Sequence, residues 1–356
     1  MTKSDIAELG KQIKNGTKTA ENIIDWVYGC YVDNENHVLW EKVRRLHELD
    51  EDDRFRQVSI IADTLKTSLG KEVFAAELEA QAEDLLDLRK ADPCKADGVA
   101  ACEELRDTVI ENVLHTDPYY LSIARIVYDV PTKAKDGSRL EDGEFVYDAL
   151  VVSICPAKLS TAALGFDDGE IRELAQRWEI KKPVRGFLYP AFSDRTEDRN
   201  MVLLRSKIPE EETLFSAVFA IREVPASVET QKAKFGEFLV SLDVTMEEAA
   251  AISSNIIEQA DEFTDGIIRK DQLQQIVEQA GASVENFDEA YASCTESGDV
   301  SAEVVSAANT VISTDTCSIH ISTDKSEMIK KQTIDGVSYI LVPVDGEVTV
   351  NGVQVR

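Results

Sequence analysis

The window from Arg177 to Lys207 gathers the residue types that could bind an anion or help transfer one. It holds Arg177, Lys181, Lys182, Arg185, Arg195, Arg199, Arg205 and Lys207 against Glu179, Asp194, Glu197 and Asp198, a local excess of four positive charges. A guanidinium matches two phosphate oxygens at once, so arginines near turns could clamp a phosphate. Phe187, Tyr189 and Phe192 lie between the charges, as they would on a surface that stacks bases. The same residues also fit an internal ion-pair network. Asp194 and Asp198 adjoin Arg195 and Arg199, and strand alternation would bury Phe187 and Tyr189 on one face. Both readings stay open at this level. Arg185, Asp194, Arg195, Asp198 and Arg199 are the candidate binding residues.

Asp194 and Asp198, joined by Asp129 or Asp148, would supply the clustered carboxylates that a hard divalent cation needs for phosphoryl chemistry. With 67 acidic residues in the chain, proximity by chance competes with that reading, and no metal or cofactor is assigned. The segment from Asp261 to Leu273 has Gly266 at the sixth position of a calcium-type loop. Phe263 and Gln272 occupy the third and twelfth, where ligands are required, so calcium is rejected and a connection between helices is expected. Phosphate-binding Walker loops, GxGxxG, GxSxG and HExxH are all missing. The six cysteines (Cys30, Cys94, Cys102, Cys155, Cys294 and Cys317) show no CxxC or zinc spacing. The four histidines (His37, His47, His115, His320) are not read as local partners that would activate one of the cysteines. Reduced, structural thiols are expected.

The elements that would position these groups follow from periodicity. Ile23 to Val32 is aromatic and β-branched, and a polar turn from Asp33 to Asn36 leads to His37–Trp40, a strand and hairpin. Phe55, Val58, Ile61, Ala62 and Leu65 recur at helical spacing up to Gly70. Val73 to Leu88 reads as helical or partly helical, and Val99 to Leu114 as a helix. Tyr119 to Val130 and Phe145 to Cys155 read as strands, the second stopped by Pro156, with turn signals in the loop between Thr132 and Glu144. Gly186–Phe192, Met201–Arg205 and Leu214–Arg222 are further candidate strands, whose short connections favour antiparallel pairing. A capping box at Thr245 to Glu248 starts an apolar helical stripe through Ile252 and Ile256. Leu273, Ile276 and Val277 form a second stripe, and Phe287 with Tyr291 a third short helix. Ile334–Val337, Asp345–Gly346 and Asn351–Gly352 are turn signals of a C-terminal β-meander.

At 356 residues the chain exceeds one typical core. Its net charge of −29 opposes nonspecific binding to nucleic acid or anionic lipid as a global property. No run of about eighteen apolar residues is present to span a membrane. The opening residues lack the apolar stretch of a secretory signal, so a cytoplasmic protein is expected.

Several short runs look alike as a set to one family. They are Tyr28-Gly-Cys-Tyr-Val-Asp33, Ile126-Val-Tyr-Asp-Val-Pro131, Val152-Ser-Ile-Cys-Pro156, the block from Gly186 to Arg195, and the ending Ile334-Asp-Gly to Leu341-Val-Pro-Val-Asp345. In order, and over nearly the whole chain, they resemble the bacterial domain-of-unknown-function family 4317. That resemblance implies no activity, cofactor or catalytic residue.

An α+β fold is therefore expected, with a central antiparallel sheet flanked by helices, a helical segment and a C-terminal β-meander. The divisions expected are a mixed unit over 1–117, a β-rich unit over 118–225, a helical unit over 226–312 and the meander over 313–356. The leading expectation for function is a non-catalytic binding protein that meets an unidentified protein partner or phosphate-bearing ligand through the arginine block. The alternative is an enzyme acting on phosphate-bearing substrates.

Overall fold

The computed structural model describes residues 1–15, 22–66, 69–95, 99–113, 117–131, 145–167, 169–174, 176–263, 266–294, 300–305, 309–313, 317–322, 329–344, 346, 348–350 and 353–355. The turn signals between Thr132 and Glu144, His115, Asp345 and the Asn351–Gly352 turn lie outside the described residues. The chain divides into two compact units, Met1–Ser227 and Val228–Arg356.

The first unit begins with α1 (Lys3–Asn15). A hairpin of β1 (Ile24–Val32) and β2 (Val38–Arg45) follows, then α2 (Glu51–Thr64), β3 (Val73–Glu77), α3 (Glu83–Lys90) and α4 (Ala100–Asn112). The long strands β4 (Tyr119–Val130) and β5 (Phe145–Leu159) come next, then β6 (Ala163–Asp167), β7 (Glu170–Leu174) and β8 (Trp178–Ile180). The unit closes with β9 (Arg185–Tyr189), β10 (Ala191–Ser193), β11 (Thr196–Asp198), β12 (Met201–Arg205) and α5 (Thr213–Val218). One sheet runs in the order β2-β1-β4-β5-β9-β12-β3, antiparallel at every step. Segments 1–117 and 118–225 thus contribute strands to the same sheet.

Both faces of that sheet are covered. On β4, Leu121 and Ile123 join Trp26, Tyr28 and Phe187 in one core, closed by Leu85 of α3, Leu105 of α4 and Phe215 of α5. Ala124 and Ile126 point the other way and join Val27, Val151 and Leu188, closed by Leu9 of α1 and Ile61 of α2. Successive strand residues alternate faces, so two covered faces demand apolar side chains at both parities. That is why these strands read as nearly continuous apolar runs. Each fully buried Leu, Ile or Phe contributes about 1.5–3 kcal/mol.

Three expected elements change. Val73–Glu77 is a strand on the sheet edge beside β12, not part of a helix. Leu214–Arg222 is not a strand: its first half is α5, with Leu214 and Phe215 buried and Phe219 packed beyond it. Pro156 does not stop β5, which runs on to Leu159. Its carbonyl accepts from Lys181 N at 2.8 Å, so only the missing N–H is lost to the ladder.

The second unit holds α6 (Val228–Ser241), α7 (Met246–Glu258), β13 (Ile267–Ile268), α8 (Lys270–Gln279), α9 (Phe287–Cys294) and β14 (Val300–Ser301). Phe238, Ile252, Ile256, Leu273, Ile276 and Phe287 form its core. The capping box forms as expected: Thr245 Oγ1 accepts from Glu248 N at 3.2 Å, and Glu248 Oε2 accepts from Thr245 N at 2.8 Å. The C-terminal β segment is built of three hairpins, β15 (Asn309–Ser313) with β16 (Ser318–Ser322), β17 (Lys330–Ile334) with β18 (Val337–Leu341), and β19 (Val348–Val350) with β20 (Val353–Val355).

Candidate functional site

The arginine window folds across five strands, and most of its cations meet carboxylates. Arg185 starts β9, where Nε donates to Glu212 Oε1 at 2.5 Å, and Ser206 Oγ donates to the same oxygen at 2.9 Å. The next residue has to be glycine. A Cβ on Gly186 would lie 2.1 Å from the carbonyl oxygen of Val152, because β9 sits tightly against β5. Arg205 ends β12 with 7% of its surface exposed. It donates to the carbonyls of Pro183 at 2.9 Å, Asp63 at 2.9 Å and Thr64 at 3.2 Å, the last two at the C-terminal end of α2. Glu72 pairs with it at 3.1 Å, and burial holds its pKa below the ordinary arginine value.

Asp194 and Arg195 are the two central residues of the β10–β11 hairpin, at φ 49° and 62°, and Ser193 pairs with Thr196 across them. Left-handed backbone at two successive non-glycine residues is costly, and a fixed side chain can hold it. Arg195 supplies that hold. Its Nη1 donates to both oxygens of Glu8 on α1, at 2.7 and 2.6 Å, and its Nη2 donates to the Pro131 carbonyl at 2.7 Å. Asp194 is exposed at the turn. Arg199 goes elsewhere: its Nε donates to Glu197, which also accepts two bonds from Arg89 of α3 at 2.8 and 2.9 Å. Four residues apart in sequence, Arg195 and Arg199 are tied to helices on opposite faces of the sheet. Asp198 accepts from Asn200 N at 3.0 Å.

The carboxylates considered for a metal are used separately. Asp148 accepts from Arg125 at 3.0 and 2.8 Å, while Asp129 is exposed. Among the described residues no group of three or more His, Cys, Asp or Glu side chains is placed to hold a metal ion. Cys30, Cys102 and Cys155 are buried thiols, each pushed up to about 12 by burial. At neutral pH they are protonated and poor nucleophiles.

Also exposed are Lys207, the start of the window and the ribbon leading into it. β5 extends past Pro156 to pair with β8, Ala157 opposite Ile180 and Leu159 opposite Trp178. Ser160 N donates to the Arg177 carbonyl at 2.8 Å, carrying the ribbon onward, and β6 pairs with β7 from Ala163–Leu174 to Asp167–Glu170. Its apolar side chains lie open: Leu164 is 71% exposed, Phe166 77%, Ile171 71% and Trp178 51%. Phe166 and Ile171 are direct cross-strand neighbours, so with Leu164 they make one apolar face. Arg177, Lys181 and Lys182 are exposed along the returning strand, Lys181 beside Glu179. Between Ala157 and Lys182 five basic residues balance five acidic ones, in a chain of net charge −29.

The sequence signal for this ribbon was present in Ala163 to Leu174, where apolar residues flank Asp168–Gly169. Pro156, a residue that usually ends a strand, hides its continuity with β5.

Among the described residues no helix is long and apolar enough to cross a membrane. A family model described as Domain of unknown function (DUF4317) matches residues 1–353. No curated protein and no solved structure matches the chain.

Proposed function

We propose, on the premise that this chain belongs to the DUF4317 family, that it is a non-catalytic cytoplasmic protein that holds a protein partner on the ribbon of residues 157–182. The observation that carries this reading is the exposure of Leu164, Phe166, Ile171 and Trp178 on a two-stranded ribbon with no core of its own. A lone two-stranded hairpin is marginally stable in water, and clustered exposed apolar residues are what partner surfaces bury. Arg177, Lys181 and Lys182 form the basic margin, where the ribbon borders the arginine window. The neutral charge of the ribbon favours it as the approach point on an otherwise repulsive, acidic surface. An enzyme acting on phosphate-bearing substrates would instead use Arg185, Arg195 and Arg199 with Asp194 and Asp198. Those three guanidiniums already serve Glu212, Glu8 and Glu197.

The test places a photo-cross-linking amino acid at Phe166 in cells that make the protein, with Val240, an exposed residue of the second unit, as control. A protein adduct of defined mass from position 166 and none from 240 is expected. Absence of an adduct at 166 would overturn the reading. So would co-purified nucleotide or nucleic acid in native mass spectrometry whose binding is lost in Arg195→Ala/Arg199→Ala.

A further inference from the structure

A second surface, independent of the ribbon, runs along one edge of the main sheet. β2 pairs with β1 on one side and, among the described residues, with no strand on the other. In an antiparallel pair every second residue turns its N–H and C=O away from the neighbouring strand. On β2 those outward groups have no backbone partner among the described residues. At β3, the other edge, the chain covers both strand ends itself. Gly70 N donates to the Val73 carbonyl at 2.8 Å, and Arg222 N donates to the Glu77 carbonyl at 2.9 Å.

Glu41 through Arg45, five consecutive residues of β2, line one side of a groove with a cavity volume of about 700 Å³. Pro93, Cys94, Val99 and Ala100 stand across it. Successive strand residues point to opposite faces, so a groove lined by five in a row follows the strand's edge, where backbone is presented. Five residues give it a length of about 17 Å. Ion pairs hold the far wall: Arg45 Nη2 donates to Asp92 at 2.6 Å, and Arg106 Nη1 of α4 to Glu41 at 2.8 Å. They set that wall on the face of β2 that carries Glu41 and Arg45. Trp40, Lys42 and Arg44 belong to the other face, where the Arg44 guanidinium lies 6.0 Å from the Trp40 ring centre and 3.4 Å from Asp53. Lys42 is exposed and meets no carboxylate among the described residues.

An open strand edge fixes the form of its occupant, because an extended backbone matches its spaced donors and acceptors. Every second side chain of an added strand would meet Pro93, Cys94, Val99 and Ala100, a wall that suits apolar groups. The alternate side chains would lie beside Lys42, where a carboxylate supplies the missing counter-charge. A second copy of the chain lacks that complement. Two-fold pairing of β2 with itself, centred on Lys42, Val43 or Arg44, sets Lys42 against Lys42, Lys42 against Arg44, or Arg44 against Arg44.

We infer that the open edge of β2 takes up an extended segment of a partner protein in which acidic residues alternate with apolar ones. The probe is a fluorescein-labelled peptide of about seven residues, long enough to span the groove, with valine and glutamate in alternation. Two further versions carry N-methyl groups on alternate amides, one version for each edge of the peptide. A valine–lysine peptide is the charge control. Titrated with the full chain, the valine–glutamate peptide gives a saturable rise in anisotropy and the lysine peptide does not. Methylation along one edge abolishes binding, and methylation along the other leaves it. Lys42→Glu weakens binding about tenfold or more through like-charge repulsion, and Ala100→Trp, which fills the groove, abolishes it. Both variants keep the circular dichroism spectrum of the parent. Lack of saturable binding, equal binding of the lysine peptide, an equal effect of methylation on the two edges, or affinity unchanged in both variants would each overturn the site. A dimer in analytical ultracentrifugation that Lys42→Glu removes, with no binding of the valine–glutamate peptide, would assign the edge to a second copy and overturn it equally.

Discussion

Glu197 shows how single residues decide the fate of the arginine window. Its side chain is 11% exposed and takes two guanidiniums, Arg89 at 6% and Arg199 at 50%. Burial alone would raise its pKa, but the bonds from Arg89 and Arg199 outweigh that and hold it below the usual carboxylate range. A depressed folded pKa contributes stability above the unfolded value of about 4.3, lost as pH falls through the folded value. Urea unfolding at pH 7 and pH 3 should therefore show a smaller acid-induced loss in Glu197→Gln than in the parent. Glu197→Ala should cost about 3–5 kcal/mol at pH 7, because Arg89 would stay buried without its carboxylate. A loss below 1 kcal/mol would show that Arg89 relaxes to water. Apart from Arg199 with Glu197, two residues away, these pairings were not legible locally. Arg195 meets Glu8 from 187 residues away and Arg205 meets Glu72 from 133, so the sequence displayed the cations and concealed their partners.

At the scale of elements, legibility followed how local the signal is. β4, β12, the β1–β2 hairpin, the capping box of α7 and the Asp335–Gly336 turn all carry their cause within a few residues, and all stand as expected. Val73–Glu77 was hidden because acidic, helix-favouring residues follow it, and only pairing with β12 draws it into the sheet. In Leu214–Phe219 the aromatic and β-branched composition suggested a strand. The spacing of Leu214, Phe215, Val218 and Phe219 is helical, and burial followed spacing. The ribbon tests the same idea in reverse. Its described apolar residues beyond Ala157 pack into neither core, so replacing 160–177 with a tight turn should leave the melting temperature of the first unit within about 2–4 °C, the shift expected for 1 kcal/mol in a unit of this size. A larger fall in a thermal melt would mean the ribbon stabilises the sheet itself.

For the whole molecule, each unit has cores of its own, two in the first and one in the second. A fragment Met1–Ser227 should fold alone and reproduce one of two calorimetric transitions of the full chain. A fragment without a cooperative transition would refute that independence. The net charge of −29 makes each unit self-repelling, so both transitions should move upward with added salt. The pairing of β3 with β12 has a consequence in time. Glu77 lies opposite Met201, so the strand leaves the ribosome well before its neighbour exists. At about 5–20 residues per second, roughly 120 residues of synthesis leave β3 waiting on the order of 6–24 s. Through that interval the nascent chain carries an unpaired apolar strand, and its yield in the cell depends on what shelters that strand until the last edge of the sheet closes.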